Sequence, residues 1–204
     1  MRNGPFPWAR PGAVALRPGE RVLWQDSPRT RPLAIRIYHV RAVVCYGIVL
    51  TLADMVEARL AHLGSIASLA AAIPGALATA GGLAILFLLA LGSARTTRYT
   101  LTDRRLVMQF GLSLAATLSM PLDQLTGLAV RIHADGTGDV ALRPSADAKL
   151  SYFKLWPFAR PWRFGRPEPM LRGVPDAGVV ATVLSRHIAS ARAAERRPAP
   201  ALAA

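Results

Sequence analysis

Few residues in this 204-residue chain are spaced for chemistry. The DGTGD stretch, Asp135 to Asp139, has the glycines and carboxylates of a phosphate or calcium loop. It lacks the Lys and Ser/Thr of a P-loop, and the regular oxygen ligands and terminal Glu of an EF-hand. Its composition is that of a tight hairpin turn, with glycines supplying positive φ. His39, His62, His133 and His187 form no pair at metal-ligand spacing. The single cysteine, Cys45, excludes an internal disulfide and a four-cysteine metal site. No Gly-x-Ser-x-Gly, His-Glu-x-x-His or dinucleotide fingerprint is present. The expectation is a protein without catalytic residues, metal or cofactor.

The stretch that does carry binding chemistry is KLWPFARPWRFGRPEPMLRGVPD, Lys154 to Asp176. Trp156, Phe158, Trp162 and Phe164 offer rigid apolar surface, while Arg160, Arg163, Arg166 and Arg172 offer forked donors to carboxylate or phosphate. Trp and Arg dominate binding hot spots, and prolines lower the entropy lost when a loop orders against a partner. The alternative is a loop packed across the open end of its own domain, with Trp156 the first candidate to do so. Interleaved Arg and aromatics also suit single-stranded nucleic acid. Anchorage at an anionic membrane surface accounts for the basic character without it, so no nucleic-acid partner is expected.

That anchorage is read from hydropathy. The chain is 52% hydrophobic and carries a net charge of +13, almost wholly as arginine. The run from Ala34 to Met55 keeps Arg36 and Arg41 at its amino-terminal end, where long side chains snorkel to headgroups. It reads as a membrane helix of roughly 20 residues, with His39 and Arg41 as interfacial residues. From Ser65 to Ser93 there is no charge. An interfacial or tilted piece to Ile73, then a helix entered at Pro74 and running to Leu91, is expected. Arginine-rich segments before Ala34 and after Ser93 place both termini in the cytoplasm if there are two spans. The first thirty residues have no apolar core and do not read as a secretory signal.

Beyond the helices, the alternation in RYTLT, LVMQFG, TLSMP, LAVRIH, DVALRP and KLSYFKLW predicts antiparallel strands. RVLWQ, near residue 22, reads as an edge strand able to join them. After Pro175, Asp176 can cap a helix whose Val179, Val180, Val183, Leu184 and Ile188 recur at helical spacing. The expected fold class is an α+β membrane protein: a transmembrane helical hairpin plus a cytoplasmic antiparallel β-barrel capped by a C-terminal helix. Its expected divisions are 1–33 (cytoplasmic segment with first strand), 34–93 (helices), 94–190 (cytoplasmic domain) and 191–204 (disordered tail).

RYTLTDRRLVMQFGL with MPLDQLTGLAV and GTGDVAL resembles the bacterial pleckstrin-homology-like domain found beside membrane helices, which implies a seven-stranded, helix-capped barrel. PGERVLWQDSP, YHVRAVVCY, DGTGDVALRP and LWPFARPWRFGRPEPMLRGVPDA together resemble the PuhB family of photosynthetic complex assembly proteins of purple bacteria. This resemblance runs from about Pro18 to Leu184. It implies a multi-pass protein of the inner (intracytoplasmic) membrane that helps assemble the reaction centre with its core light-harvesting antenna. Implied partners are membrane lipids, reaction-centre and core antenna polypeptides, and a second copy in a homo-oligomer such as a dimer. The family has three spans, so two or three remain open here. Rival readings are a PH-like module binding lipid headgroups or protein, and a permanent subunit of the photosynthetic complex. Bacteriochlorophyll contact would need a chlorin ligand, for which His39 is the membrane-located candidate; beside Arg41 an interfacial hydrogen-bonding role is the better reading.

Overall fold

In the computed structural model, which describes residues 12–111, 116–146, 148 and 150–195, the chain begins with a strand and then leaves the sheet. β1 (Val22–Asp26) is followed by four helices, α1 (Thr30–Arg36), α2 (Val40–Leu60), α3 (Ser65–Ala71) and α4 (Ile73–Thr96). Strands β2 (Arg98–Thr102), β3 (Arg105–Phe110), β4 (Ala116–Pro121), β5 (Leu125–Ile132) and β6 (Thr137–Pro144) follow. A helical turn α5 (Tyr152–Leu155), strand β7 (Met170–Pro175) and helix α6 (Ala177–Glu195) complete the described chain. β1 pairs antiparallel with β2, so the helical layer is an insertion between the first two strands of one sheet.

The helices leave their apolar side chains outside. Tyr46, Val49, Leu52, Val56 and Leu60 on α2, and Leu77, Ile85, Phe87 and Leu88 on α4, are all more than half exposed. Ser65–Thr96 is one stretch long and apolar enough to cross a membrane, with 6% of its most apolar window buried inside the protein. α2 meets that criterion only jointly with α1, from which it is bent by 54°. The bend corrects the expectation of one helix from Ala34 to Met55. It falls at His39, whose φ of 51° interrupts the helical path. Its cause is tertiary: Leu33 and Ala34 of α1 are buried against Ala90 and Ala94 of α4, and Tyr38 Oη lies 2.6 Å from Ser93 Oγ. α2 and α4 approach closely at Gly47, where an added Cβ would overlap the Thr79 side chain.

The expected closed barrel is not formed. The strands make two antiparallel sheets, in the orders β1-β2-β3-β4 and β5-β6-β7. The physical reason lies at the seams. Pro121 has no N–H to extend pairing, and a tight turn follows in which the Gln124 and Leu125 N–H groups donate to the Pro121 and Leu122 carbonyls. That turn carries the chain from one sheet to the other, with Leu122 and Leu125 fully buried. At the opposite seam, β1 and β7 do not pair. Arg29 N–H donates to the Gly173 carbonyl, and the buried Tyr99 hydroxyl accepts from Arg172 N–H at 3.1 Å and lies 3.3 Å from the Arg172 carbonyl. Burial pushes the Tyr99 phenol far above its usual pKa, so it stays a neutral donor and acceptor. The two sheets and α6 share one core that includes Tyr99, Leu106, Met108, Val140, Leu142, Leu171 and Leu184.

Two further differences concern the strands. The expected strand KLSYFKLW is not seen over its described residues, 150–156: Tyr152–Leu155 form α5, which turns Leu155 inward, and Lys149 lies outside the described residues. The seventh strand is instead MLRGVP, β7, whose Gly173 (φ 61°) and flanking prolines disguise it. Of the stretch Asp135 to Asp139, Asp135 and Gly136 lie in the turn, with Gly136 at φ 75° and His133 N–H donating to the Thr137 carbonyl, and Thr137 to Asp139 already belong to β6. α6 continues to Glu195, so 191–195 are helical; residues 196–204 lie outside the described residues.

The helical layer is tied to the β domain at one end. Arg36 does not reach toward headgroups. It donates to both Asp135 carboxylate oxygens at 2.9 Å and to the Thr137 hydroxyl at 3.0 Å. The Thr137 hydroxyl, then the Arg36 guanidinium, hold the Asp135 pKa down at about 2. At Gly173 an added Cβ would lie 2.9 Å from Leu33 Cδ1, so α1 rests directly on the β7 backbone.

Candidate functional site

The Trp156–Arg172 segment is a hairpin-like excursion with a pinned base. Ala159 and Pro169 form an isolated antiparallel bridge. Met170 N–H donates to the Phe158 carbonyl (2.7 Å), Arg160 N–H to the Glu168 carbonyl (2.8 Å) and Leu142 N–H to the Pro169 carbonyl (2.8 Å). An ion pair, Arg160 Nη1 to Glu168 Oε2 at 2.6 Å, closes the neck. Residues 161–167 form the tip. Pro161 and Pro167 stand at its two ends, fixing φ where the chain leaves and re-enters the neck.

The eight residues expected as contacts divide into two sets. Phe158 is 1% exposed and packs edge-on to Tyr99 and tilted against Phe110, so it belongs to the core. Arg172 is turned inward: its Nη2 donates to the Ala159 carbonyl at 2.8 Å, and its Nε has no partner among the described residues. Burial lowers the Arg172 pKa, and the Asp139 carboxylate opposes that shift. Asp139 in turn accepts from Gly173 N–H and lies 3.2 Å from His133 Nε2. Arg160 is engaged by Glu168. Phe158, Arg160 and Arg172 therefore hold the excursion in place.

Trp156, Trp162, Phe164, Arg163 and Arg166 are exposed, Trp162 to 87%. Trp156 does not fold back over the domain; Phe158 occupies that role. Tyr152 and Phe164 rings lie 4.6 Å apart, and Trp162 meets Phe164 edge-on at 6.4 Å. Trp162 adopts φ 63°, a conformation uncommon for a bulky residue and frequent at binding sites. Phe153, also 87% exposed, extends the aromatic strip from α5. Sequence reasoning missed it because the YF pair was assigned to a strand.

Strand register fixes where this strip sits. β5 runs from Leu125 to Ile132, and its Ile132 end leads into the turn held by Arg36. Its other end is about 24 Å away at 3.4 Å per residue. There lie Thr126, Arg143, Ser145, Arg163, Arg166 and Glu168, which border one cleft. The Arg192 guanidinium of α6 reaches the same end, donating to the Thr126 carbonyl. The domain therefore has one pole on the helices and an opposite pole carrying the aromatic and arginine tip. His39 and Arg41, both exposed at the α1–α2 bend, belong to the helical pole and are not brought together with the tip. Among the described residues, no three His, Cys, Asp or Glu side chains converge to hold a metal ion.

Comparison with known proteins places the chain. The model of the bacterial PH domain family matches residues 42–188, from α2 into α6. A Rhodobacter capsulatus protein described as an uncharacterized 23.7 kDa protein in the puhA 5' region is 34% identical over 180 residues, covering 86% of this chain and 83% of that protein. No solved structure matches. The PH-like domain under this match carries no Gly-x-Ser-x-Gly, His-Glu-x-x-His or dinucleotide fingerprint. With nearly three quarters of its length under the family model and a relative of that similarity along most of both chains, the protein belongs to the bacterial PH domain family.

Proposed function

We propose that the protein is a membrane-embedded assembly factor of the PuhB type, helping to join the photosynthetic reaction centre to its core light-harvesting antenna. The observation that carries this reading is the exposed tip of Trp162, Phe164, Arg163 and Arg166 on its hydrogen-bonded neck, a surface with hot-spot composition and no role in the domain's own core. The photosynthetic context comes from the relative in the puhA 5' region and from the LWPFARPWRFGRPEPMLRGVPDA resemblance. α2 and α4 lie in the inner membrane as a multi-pass anchor, with His39 and Arg41 at the headgroup level. The arginine-rich segments on either side of the helices keep the β domain and both termini cytoplasmic. The helices hold antenna or reaction-centre polypeptides laterally, while the tip engages a cytoplasmic segment of one of them.

The test is to purify the tagged protein in mild detergent from phototrophically grown cells and identify co-purifying polypeptides by mass spectrometry. Reaction-centre and antenna polypeptides at substoichiometric, growth-phase-dependent amounts support the reading. Equimolar amounts at all phases would make the protein a permanent subunit, and lipid alone would make it a headgroup-binding module.

A further inference from the structure

The cleft beneath the tip has a volume of about 500 Å³ and, among the described residues, an excess of positive charge. Arg143, at the end of β6, and Arg163 and Arg166, on the tip, all border it. All three are exposed, and no described carboxylate lies within ion-pair distance of any of them. Among the described residues of the lining the acid is Glu168, which Arg160 already engages. Three arginines bordering one hollow raise its positive potential, and that arrangement favours an anion there. Arginine forks match carboxylates and phosphates two bonds at a time.

Three features choose among anions. The volume far exceeds one water-sized or single-ion site, since a liquid water occupies about 30 Å³. The aromatic strip of Tyr152, Phe164 and Trp162 adjoins the arginines, which fits a ligand with apolar as well as acidic groups. The cleft lies about 24 Å along the strands from the end that holds the helices. That exceeds the roughly 8 Å screening length of physiological salt, so charges at the end held by α1 do not act on the cleft.

We propose that this cleft receives an acidic peptide segment of a protein partner, its carboxylates on Arg143, Arg163 and Arg166 and an apolar side chain against Phe164 and Trp162. This deepens, and rests on, the reading of the tip as a partner-contact surface. It adds Arg143, which lies outside the aromatic segment, and it selects protein over lipid as the occupant.

The experiment uses the full chain purified in neutral detergent and a fluorescein-labelled peptide of glutamates and leucines, read by fluorescence polarization. Combined Arg143→Gln and Arg163→Gln substitution weakens binding by about tenfold or more. Combined Arg59→Gln and Arg186→Gln substitution, which removes the same charge from exposed sites elsewhere, changes it by less than about twofold. Glycerol phosphate does not displace the peptide at concentrations where sodium chloride of equal ionic strength leaves it bound. Equal losses in the two double variants would overturn the proposal. Displacement by glycerol phosphate would overturn it too, and would assign the cleft to phosphate, free or in a headgroup. Because the peptide is synthetic and the protein pure, failure here leaves the co-purification result intact, and the reverse also holds.

Discussion

Two aromatic residues four positions apart test whether the segment is divided as described. Phe158→Ala removes a ring that is 1% exposed and lies 6.2 Å from the Tyr99 centroid and 5.5 Å from that of Phe110. Truncating a buried Phe to Ala costs about 3–5 kcal/mol, combining lost transfer free energy with the cavity left behind. The rigid neck on both sides, pinned by the 2.6 Å Arg160–Glu168 pair, limits collapse of that cavity and favours the upper half of the range. Trp162→Ala removes a larger ring, but one that is 87% exposed, and surface changes of this kind stay within about 0.5 kcal/mol. Thermal unfolding followed by circular dichroism in mild detergent would separate them. For a chain of this size the first corresponds to a midpoint roughly 6–20 °C lower, and the second to no more than about 2 °C. Partner capture should show the opposite ranking at a temperature where both variants are folded: Trp162→Ala loses it and Phe158→Ala retains it. Comparable destabilisation by the two substitutions would refute the division between core and contact residues.

Other expectations follow from single contacts. The Glu20 carboxylate, buried against Arg105 Nε at 2.7 Å and accepting from the Thr102 hydroxyl, has its pKa lowered to about 2, chiefly by the Arg105 hydrogen bond. Its folded-state pKa is below the unfolded value of 4.5, so its stabilisation is complete above that pH and is lost as pH falls toward 2. A stability profile should therefore decline across that window in the parent and be flatter in Glu20→Gln; parallel profiles would contradict this role. Gly173→Ala should destabilise by about 1–3 kcal/mol in denaturant titration, because φ 61° is strained for alanine and its Cβ meets Leu33; an unchanged midpoint would mean α1 does not rest there. Cys45, exposed on α2 about 9 Å beyond the bend, should resist a membrane-impermeant maleimide in intact vesicles and react after denaturation. Equal labelling in both states would remove α2 from the bilayer.

The stretch from Ser65 was legible because more than twenty apolar residues without charge leave few alternatives, and Pro74 stands at the entry of α4 as expected. By contrast, α2 has charges at both ends and meets the spanning criterion only jointly with α1. The bend at His39 was not legible, since it arises where Leu33 finds Ala90 and Ala94, contacts about 60 residues distant in sequence. Hairpins with strong alternation were legible from period alone. β7 was hidden because its Gly173 and its prolines read as breakers, whereas Gly173 is required by the close approach of α1. α5 was misassigned because four residues of mixed aromatic and aliphatic character fit either period. The barrel failed for a similar reason: strand count is readable, but closure depends on whether Pro121 and the following turn interrupt a ladder. In the candidate site, residue types mark the segment as rich in binding chemistry, but Phe158 and Phe164 are chemically identical. Only the Ala159–Pro169 bridge, which fixes the neck, decides which of them is buried.

The polarity of the domain constrains how any partner can be engaged. Arg36 on Asp135 and Leu33 on Gly173 fix one pole to the helices, so the tip does not swing freely on a linker. Were the helices joined to the sheets by a flexible chain alone, tip and membrane could approach each other and a headgroup ligand would be natural. With α4 running into β2 through the single residue Thr97, the distance between helices and tip is set by strand length. A partner that packs its own helix against α2 or α4 and also reaches the tip must cover about 24 Å, or at least seven fully extended residues. A polypeptide with a membrane helix and an acidic cytoplasmic extension of that length could occupy both surfaces at once. Linked contacts of this kind raise effective concentration and allow each contact to be individually weak. Weak individual contacts are what a factor needs if it is to hold a component during assembly and then let it go.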